Sequence, residues 1–210
     1  QPDVFKIYPN TYKKTKLNLE VLNHKFIHFI SGITAKKSYP GSEYYLRVNP
    51  SAGALYPNEV YFQVKNEEGF VDGIYHYENA TSSIIFLQSL KNDGIESYLN
   101  IDTQFDGFIF LISSVYYRSS WKYRHRAFRY CLLDAGHLLG SLEASTYLFK
   151  NSYNIIYNFD KSSLNTMFGF ENQEFFVSAF TVGSTTSKKV TDLNMKLDFV
   201  NAAGTYEKNT

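Results

Sequence analysis

A chain of 210 residues with a net charge of +1 is long enough for one domain with a sizeable core, and its charge balance gives no reason to expect nucleic acid. No apolar run reaches the ~18–20 residues needed to span a membrane, and no basic-then-apolar signal segment is visible, so cytoplasm is the default location. The single cysteine, Cys131, excludes an intrachain disulfide and any multi-cysteine metal site, and five scattered histidines show no metal-binding spacing.

Residues 1–19 are polar, carry Pro2 and Pro9, and read as an extended N-terminal arm. Leu22, Phe26, Phe29 and Ile30 recur at helical spacing and predict a helix over 21–30, ended by Ser31 and Gly32. Residues 34–45 read as a loop. A stiff, small-residue segment follows, from Arg47 through Pro50, Ser51, Ala52, Gly53, Ala54 and Leu55 to Pro57. Proline fixes φ there, and glycine and alanine remove bulk, which suits a backbone that must approach a flat ligand. A strand is predicted at 60–64, a turn at 67–69, and further strands at 73–77 and 84–87, giving a small antiparallel sheet. The continuous apolar run 108–113 predicts a central strand covered on both faces. Residues 130–148 predict a long buried helix whose Ala135, Gly136, Gly140, Ser141, Ala144 and Ser145 permit close packing. Strands at 155–159 and 175–182 flank a short helix at 163–168. From Ser184 the chain turns polar, so 184–210 reads as a C-terminal arm, linker or tail, leaving 20–183 as the domain.

Arg118, Lys122, Arg124, Arg126 and Arg129 lie close together with only Asp134 opposing them nearby. They line an anionic site or form a solvated helix face; composition does not choose. Arg126 and Arg129, three apart, share a helix face if one forms, and have Asp134 and Glu143 as alternative acidic partners. Arg47 supplies a planar guanidinium suited to phosphate or an electron-rich edge. Glu59 is expected to organise the loop by hydrogen bonding. Tyr56 caps a pocket or fills core, His137 is expected to be packed, and His76 is expected to be a strand residue. Cys131 reads as a buried small hydrophobe.

Four segments occur in order: Pro50-Ser-Ala-Gly-Ala-Leu-Tyr-Pro57, Gly73-Ile-Tyr-His-Tyr77, Trp121-Lys-Tyr through Arg126 and Arg129 to Tyr130, and Asp134-Ala-Gly-His137. With them the chain resembles the SagB/ThcOx branch of the nitroreductase-like FMN flavoproteins, from Gln1 to about Gly183. The resemblance implies an α+β, nitroreductase-like fold, with a central, mainly antiparallel sheet flanked by helices and extended arms. It also implies FMN as cofactor, and oxidation of thiazoline or oxazoline rings in a modified peptide by hydride transfer to the flavin. Pro50, Ser51, Ala52, Gly53, Ala54 and Leu55 would then face the flavin ring, with Arg47, Arg126 and Arg129 as further cofactor-binding residues. The family's catalytic Lys-Tyr pair falls on Lys122 and Tyr123. A homodimer is implied, within a multi-subunit peptide-modifying complex or acting on a small molecule.

The pattern also has departures. No arginine-rich segment that would grip the FMN phosphate occurs between Gln1 and Gly32. The stretch Ala144-Ser-Thr-Tyr-Leu-Phe-Lys150 replaces the family's Ala-x-x-x-Gly-Leu, and Ser141 stands where asparagine is common. Two other readings therefore remain: a general NAD(P)H-dependent nitro or quinone reductase, and a non-catalytic structural or peptide-binding subunit.

Overall fold

The computed structural model describes residues 2–149, 151–170, 172–194 and 197. In chain order its elements are β1 (Lys13–Lys16), α1 (Leu22–Ser31), β2 (Ile33–Tyr39), β3 (Ser42–Arg47), β4 (Asn58–Lys65), β5 (Gly73–Glu78), β6 (Ser83–Ser89) and β7 (Asp93–Gly94), then β8 (Thr103–Val115), α2 (Tyr117–Tyr123), α3 (Ala127–Leu148), β9 (Tyr153–Ile156), α4 (Lys161–Met167), β10 (Glu174–Lys189) and β11 (Thr191–Asp192). Seven strands form one sheet in the order β1-β6-β5-β4-β8-β10-β9. Every neighbouring pair in it is antiparallel.

The central strand β8 is covered on both faces, as its unbroken apolar run predicts. Phe108, Phe110 and Ile112 join one cluster with Phe26, Ile27 and Ile30 of α1 and Leu138, Leu139 and Leu142 of α3. Ile109 and Leu111 point the other way, into a cluster with Tyr61, Leu164, Phe168, Phe170 and Phe176. This is the period-two alternation of a pleated strand. Much of the aromatic content lies here, in ring pairs such as Phe108–Phe110 at 5.6 Å and Phe168–Phe176 at 4.9 Å.

Three expectations are corrected. Residues 34–45 are not a loop: β2 and β3 pair as an antiparallel hairpin, most of whose residues are exposed. Helix α1 buries Phe26, Ile27 and Ile30, while Leu22 is exposed, so its inward face is rotated from the one expected. The long helix α3 is buried on one side only. Ala135, Leu138, Leu142 and Ser145 face the sheet, whereas Gly136, Gly140 and Ala144 look outward. A Cβ built at Gly136 or Gly140 would meet nothing within 4 Å among the described residues.

Residues 1–19, read as an arm, supply β1 at the sheet edge and the buried residues Lys6, Tyr8 and Leu17. Of the segment 184–210, residues 184–189 continue β10 and 191–192 form β11, which pairs with β7; residues 195–196 and 198–210 lie outside the described part. No helix among the described residues is long and apolar enough to cross a membrane.

Candidate functional site

The small-residue loop leaves the β2–β3 hairpin at Arg47 and enters β4 at Asn58. Its crown, Ala52–Ala54, is a single 3-10 turn. Gly53, Ala54 and Tyr56 all adopt left-handed backbone, with φ of 68°, 54° and 46°. For alanine and tyrosine this conformation costs on the order of 1–2 kcal/mol each, so the surroundings must hold it. They do. Ser51 Oγ donates to Asp134 Oδ2 at 2.6 Å, and Ala52 N–H donates to Asp134 Oδ1 at 3.2 Å. Tyr56 N–H donates to Ser51 Oγ at 2.8 Å. Arg47 N–H donates to Tyr56 Oη at 3.1 Å, and Arg118 donates to the Tyr56 carbonyl at 3.0 Å. Burial pushes the Asp134 carboxyl up, against the lowering effect of the Ser51 hydroxyl and Ala52 amide.

Helix α2 brings the Lys122–Tyr123 pair to this crown. A Cβ placed on Gly53 would lie 2.6 Å from Tyr123 Oη and 2.9 Å from Lys122 Nζ. A side chain at position 53 would have to displace the tips of both residues. Lys122 is exposed and Tyr123 half-buried. The residue after them, Arg124, is strained (φ 49°, ψ −127°), which turns the chain sharply between α2 and α3. The Tyr123 ring lies 4.4 Å from the Tyr130 ring. Tyr130 in turn lines an open cleft of about 490 Å³ with His125, Arg126, Phe128 and Arg129.

The sequence-predicted residues thus fall into two groups. Ser51, Ala52, Gly53, Ala54, Lys122 and Tyr123 come together, with Arg126 and Arg129 exposed at the neighbouring cleft. Pro50 is exposed at the start of the loop and Leu55 is buried beneath it. Arg47 is not at the mouth. Its guanidinium is buried against the rings of Tyr56 at 4.4 Å and Phe5 at 5.4 Å, and Nη2 donates to the Val4 carbonyl at 3.0 Å. Burial lowers its pKa to about 10, opposed by Glu59. Arg126 precedes α3 in a short 3-10 turn, so it does not share an α-helical face with Arg129. His137 is exposed rather than packed, and Tyr56 fills core.

Asp134 and Arg118 were not singled out as loop anchors. Asp134 opens one sequence motif and Arg118 stands three residues before another, yet Asp134 reaches Ser51 across 83 positions and Arg118 reaches Glu59 across 59. Glu59 organises the loop indirectly. It accepts from Arg118, and His76 Nε2 lies 2.9 Å from its other oxygen. Cys131 is buried and its thiol pushed up by burial, consistent with a packing role. Among the described residues no group of three or more His, Cys, Asp or Glu is arranged to hold a metal.

The fold has counterparts among solved structures. A crystal structure from Anabaena variabilis, provisionally named a nitroreductase, superposes over 100% of this chain with a TM-score of 0.75 at 23% identity. The fold is nitroreductase-like. A second nitroreductase-like structure, from Ralstonia eutropha, covers 87% of this chain and 80% of its own, with a TM-score of 0.62 at 12% identity. A chain of the E. coli microcin synthetase McbBCD complex, solved with truncated pro-MccB17 bound, covers 82% of this chain and 66% of its own, with a TM-score of 0.63 at 18% identity. By sequence, a protein of Methanocaldococcus jannaschii provisionally named a nitroreductase is 26% identical over 130 residues, 60% of this chain. The match spans 62% of that relative, and this nitroreductase-like chain spans 50% of the Anabaena one. No family model matches the chain.

Proposed function

We propose that the chain is an FMN-dependent oxidoreductase that oxidises thiazoline or oxazoline rings in a modified peptide. The observation that carries this reading is the convergence of Lys122 Nζ and Tyr123 Oη on the side-chain-free crown at Gly53. The residues present suit a flavin. The crown of the loop offers only backbone and methyl groups at a space that any larger side chain would fill. Ser51, Ala52, Gly53 and Ala54 would lie along the ring, with Pro50 and Leu55 fixing the two ends of the loop. Arg126 and Arg129, exposed at the adjoining cleft, would meet the phosphate. Arg47 would support the loop from behind through Tyr56.

Bound FMN supplies the two-electron acceptor for the hydride lost from a ring carbon. The chain's own task is the proton on the adjacent carbon. Lys122 Nζ is the proposed acceptor of that proton, and Tyr123 Oη positions it or passes the proton on. A lysine base works best in dry surroundings, yet Lys122 is exposed in the single chain. A second copy would provide the cover. Trp121 of α2 and Phe128, Leu132, Leu133, Tyr147 and Leu148 of α3 are large apolar side chains exposed to solvent, available for such a contact. The pro-MccB17-bound complex among the structural neighbours favours a peptide substrate and a multi-subunit setting.

The names of the Methanocaldococcus and Anabaena proteins favour a second reading, a general NAD(P)H-dependent nitro or quinone reductase. The first experiment is the visible spectrum of the purified chain after FMN addition and removal of unbound flavin. A perturbed flavin band near one per chain is expected, followed by azoline oxidation without added nicotinamide. Retained flavin with turnover only on nicotinamide and nitro or quinone acceptors would favour the second reading. No retained flavin in the native oligomer would overturn both and leave a structural or peptide-binding subunit.

A further inference from the structure

Beneath the loop runs a buried chain of charged groups that the proposed chemistry does not use. Arg118 stands one helical turn before Lys122 on α2, and its side chain is 3% exposed. Its Nη1 donates to the Tyr56 carbonyl at 3.0 Å and to Glu59 Oε1, and its Nε donates to the Asp3 carbonyl at 3.0 Å. One guanidinium therefore joins α2 to the exit of the small-residue loop, to the first residue pair of β4 and to the N-terminal segment. It is too deeply covered to touch a substrate or a flavin.

Glu59 and His76 fix that guanidinium in turn. Burial alone would raise the Glu59 carboxyl, but Arg118, His76 and Arg47 together outweigh burial and hold it well below the carboxylate range. Burial keeps His76 neutral against the opposing pull of Glu59. A neutral His76 facing a carboxylate donates through Nε2, which leaves Nδ1 bare, and Nδ1 has no partner among the described residues. The ring is clamped between Tyr61 at 4.6 Å and Tyr8 at 5.2 Å. His76 thus aims Glu59, and Glu59 aims Arg118.

We propose that Arg118 is the positioning residue that holds α2, and with it Lys122 and Tyr123, against the loop crown at Gly53. The inference deepens the oxidoreductase reading and rests on it for what the pair does there, but not for the geometry. Two observations meet in it. Tyr56 sits in a strained left-handed conformation whose carbonyl Arg118 secures, and α2 is a seven-residue helix whose C-terminal cap, Arg124, is itself strained. A helix that short has little intrinsic stability, so its placement must come from tertiary bonds.

Trp121 is the sole tryptophan, it lies on α2 next to Lys122, and it reports on that helix without any cofactor. Arg118→Lys and Arg118→Gln are compared with the parent chain, first without flavin. Amide exchange over 117–123 should rise about ten- to a hundred-fold in Arg118→Gln, while β4 and β8 stay protected. Acrylamide quenching of Trp121 should rise with it, and Arg118→Lys should recover part of both. With flavin and azoline, kcat should fall about a hundred-fold in Arg118→Gln with KM little changed, because misplacing a reacting group costs rate, not substrate binding. Exchange and quenching over α2 equal to the parent would overturn the inference. So would loss of protection shared evenly by every strand, or failure of both variants to fold, since Arg118 would then be core and not a positioning residue. If α2 loosens as expected but the parent chain oxidises no azoline, the positioning role stands and the assigned reaction falls.

Discussion

Replacing Lys122 by methionine keeps most of the side-chain length and removes the atom that would accept the proton. General bases contribute about 10²–10⁴-fold to rate, so Lys122→Met should lower azoline turnover within that range while flavin retention persists. Wild-type turnover in that variant would refute the assignment of the base. Glu59 sets a different test. Its folded carboxyl lies below its ordinary value of 4.5, so the stability it contributes is present above pH 4.5 and is lost as pH falls below it. Asp134 has the opposite sign: its raised carboxyl favours the folded state below its ordinary 3.8, and that contribution is lost as pH rises through the raised value. Glu59→Gln should therefore remove an acid limb from the profile of urea stability against pH. It should also cost about 3–5 kcal/mol at neutral pH, because Arg118 is left buried without its carboxylate. A variant with the parent's full acid limb would show that the limb belongs to other carboxylates.

At the scale of elements, what the sequence reveals depends on whether an element has an inside. β4 and β8 are legible because their side chains are buried along their length and carry a dense apolar signal. The β2–β3 hairpin is not, because Ala35, Lys36, Lys37, Ser38 and Tyr39 are exposed on both faces and no alternation marks the strands. β1 reads as Lys-Lys-Thr-Lys, an edge strand whose charges also guard against strand addition. The loop and the Lys-Tyr pair were visible as motifs, but their anchors were not, since a bond such as Ser51 to Asp134 leaves no local period. The small residues of α3 are legible and divide by face: Ala135 and Ser145 pack as their size suggests, and the rest of the pattern does not. Gly136, Gly140 and Ala144 recur every fourth residue on the outer face, with Leu132 before them and Tyr147 beyond. They do not pack against the described residues, so they leave room for the second copy proposed above. Ala144→Arg puts a long cation into that face without touching the sheet side. Sedimentation velocity should then show a dimer in the parent and a monomer in the variant at the same concentration, with melting of the monomer fold preserved. A parent chain that sediments as a monomer at tens of micromolar would refute the second-copy cover proposed for Lys122.

The molecule as a whole is closed by its first residues. Lys6 Nζ lies 2.6 Å from Glu174 Oε2, both side chains are fully buried, and the ammonium also donates to Tyr61 Oη. Glu174 accepts from Ser113 Oγ with its other oxygen. Farther along the segment, Tyr8 N–H and Lys14 Nζ both reach Glu78. One short stretch thereby joins β4, β5, β8 and β10 at the end of the sheet that carries the loop. Nothing in Phe5-Lys-Ile7 announces this, since a lysine in a polar stretch is ordinarily solvated and its partner is 168 positions away. Removing Lys6 strands a carboxylate in a dry site, which costs about 3–5 kcal/mol, whereas replacing both partners by apolar groups of similar volume is often neutral. Lys6→Met should therefore lower the unfolding free energy by about that amount in urea, and adding Glu174→Leu should recover most of it despite the lost Ser113 bond. Recovery would establish that the segment is held by a pair whose cost lies in leaving one member alone. If the double variant is instead weaker than Lys6→Met by the full effect of a second, independent loss, the two charges are not coupled, and the N-terminal segment is seated by its backbone bonds to Arg47, Arg118 and Glu78.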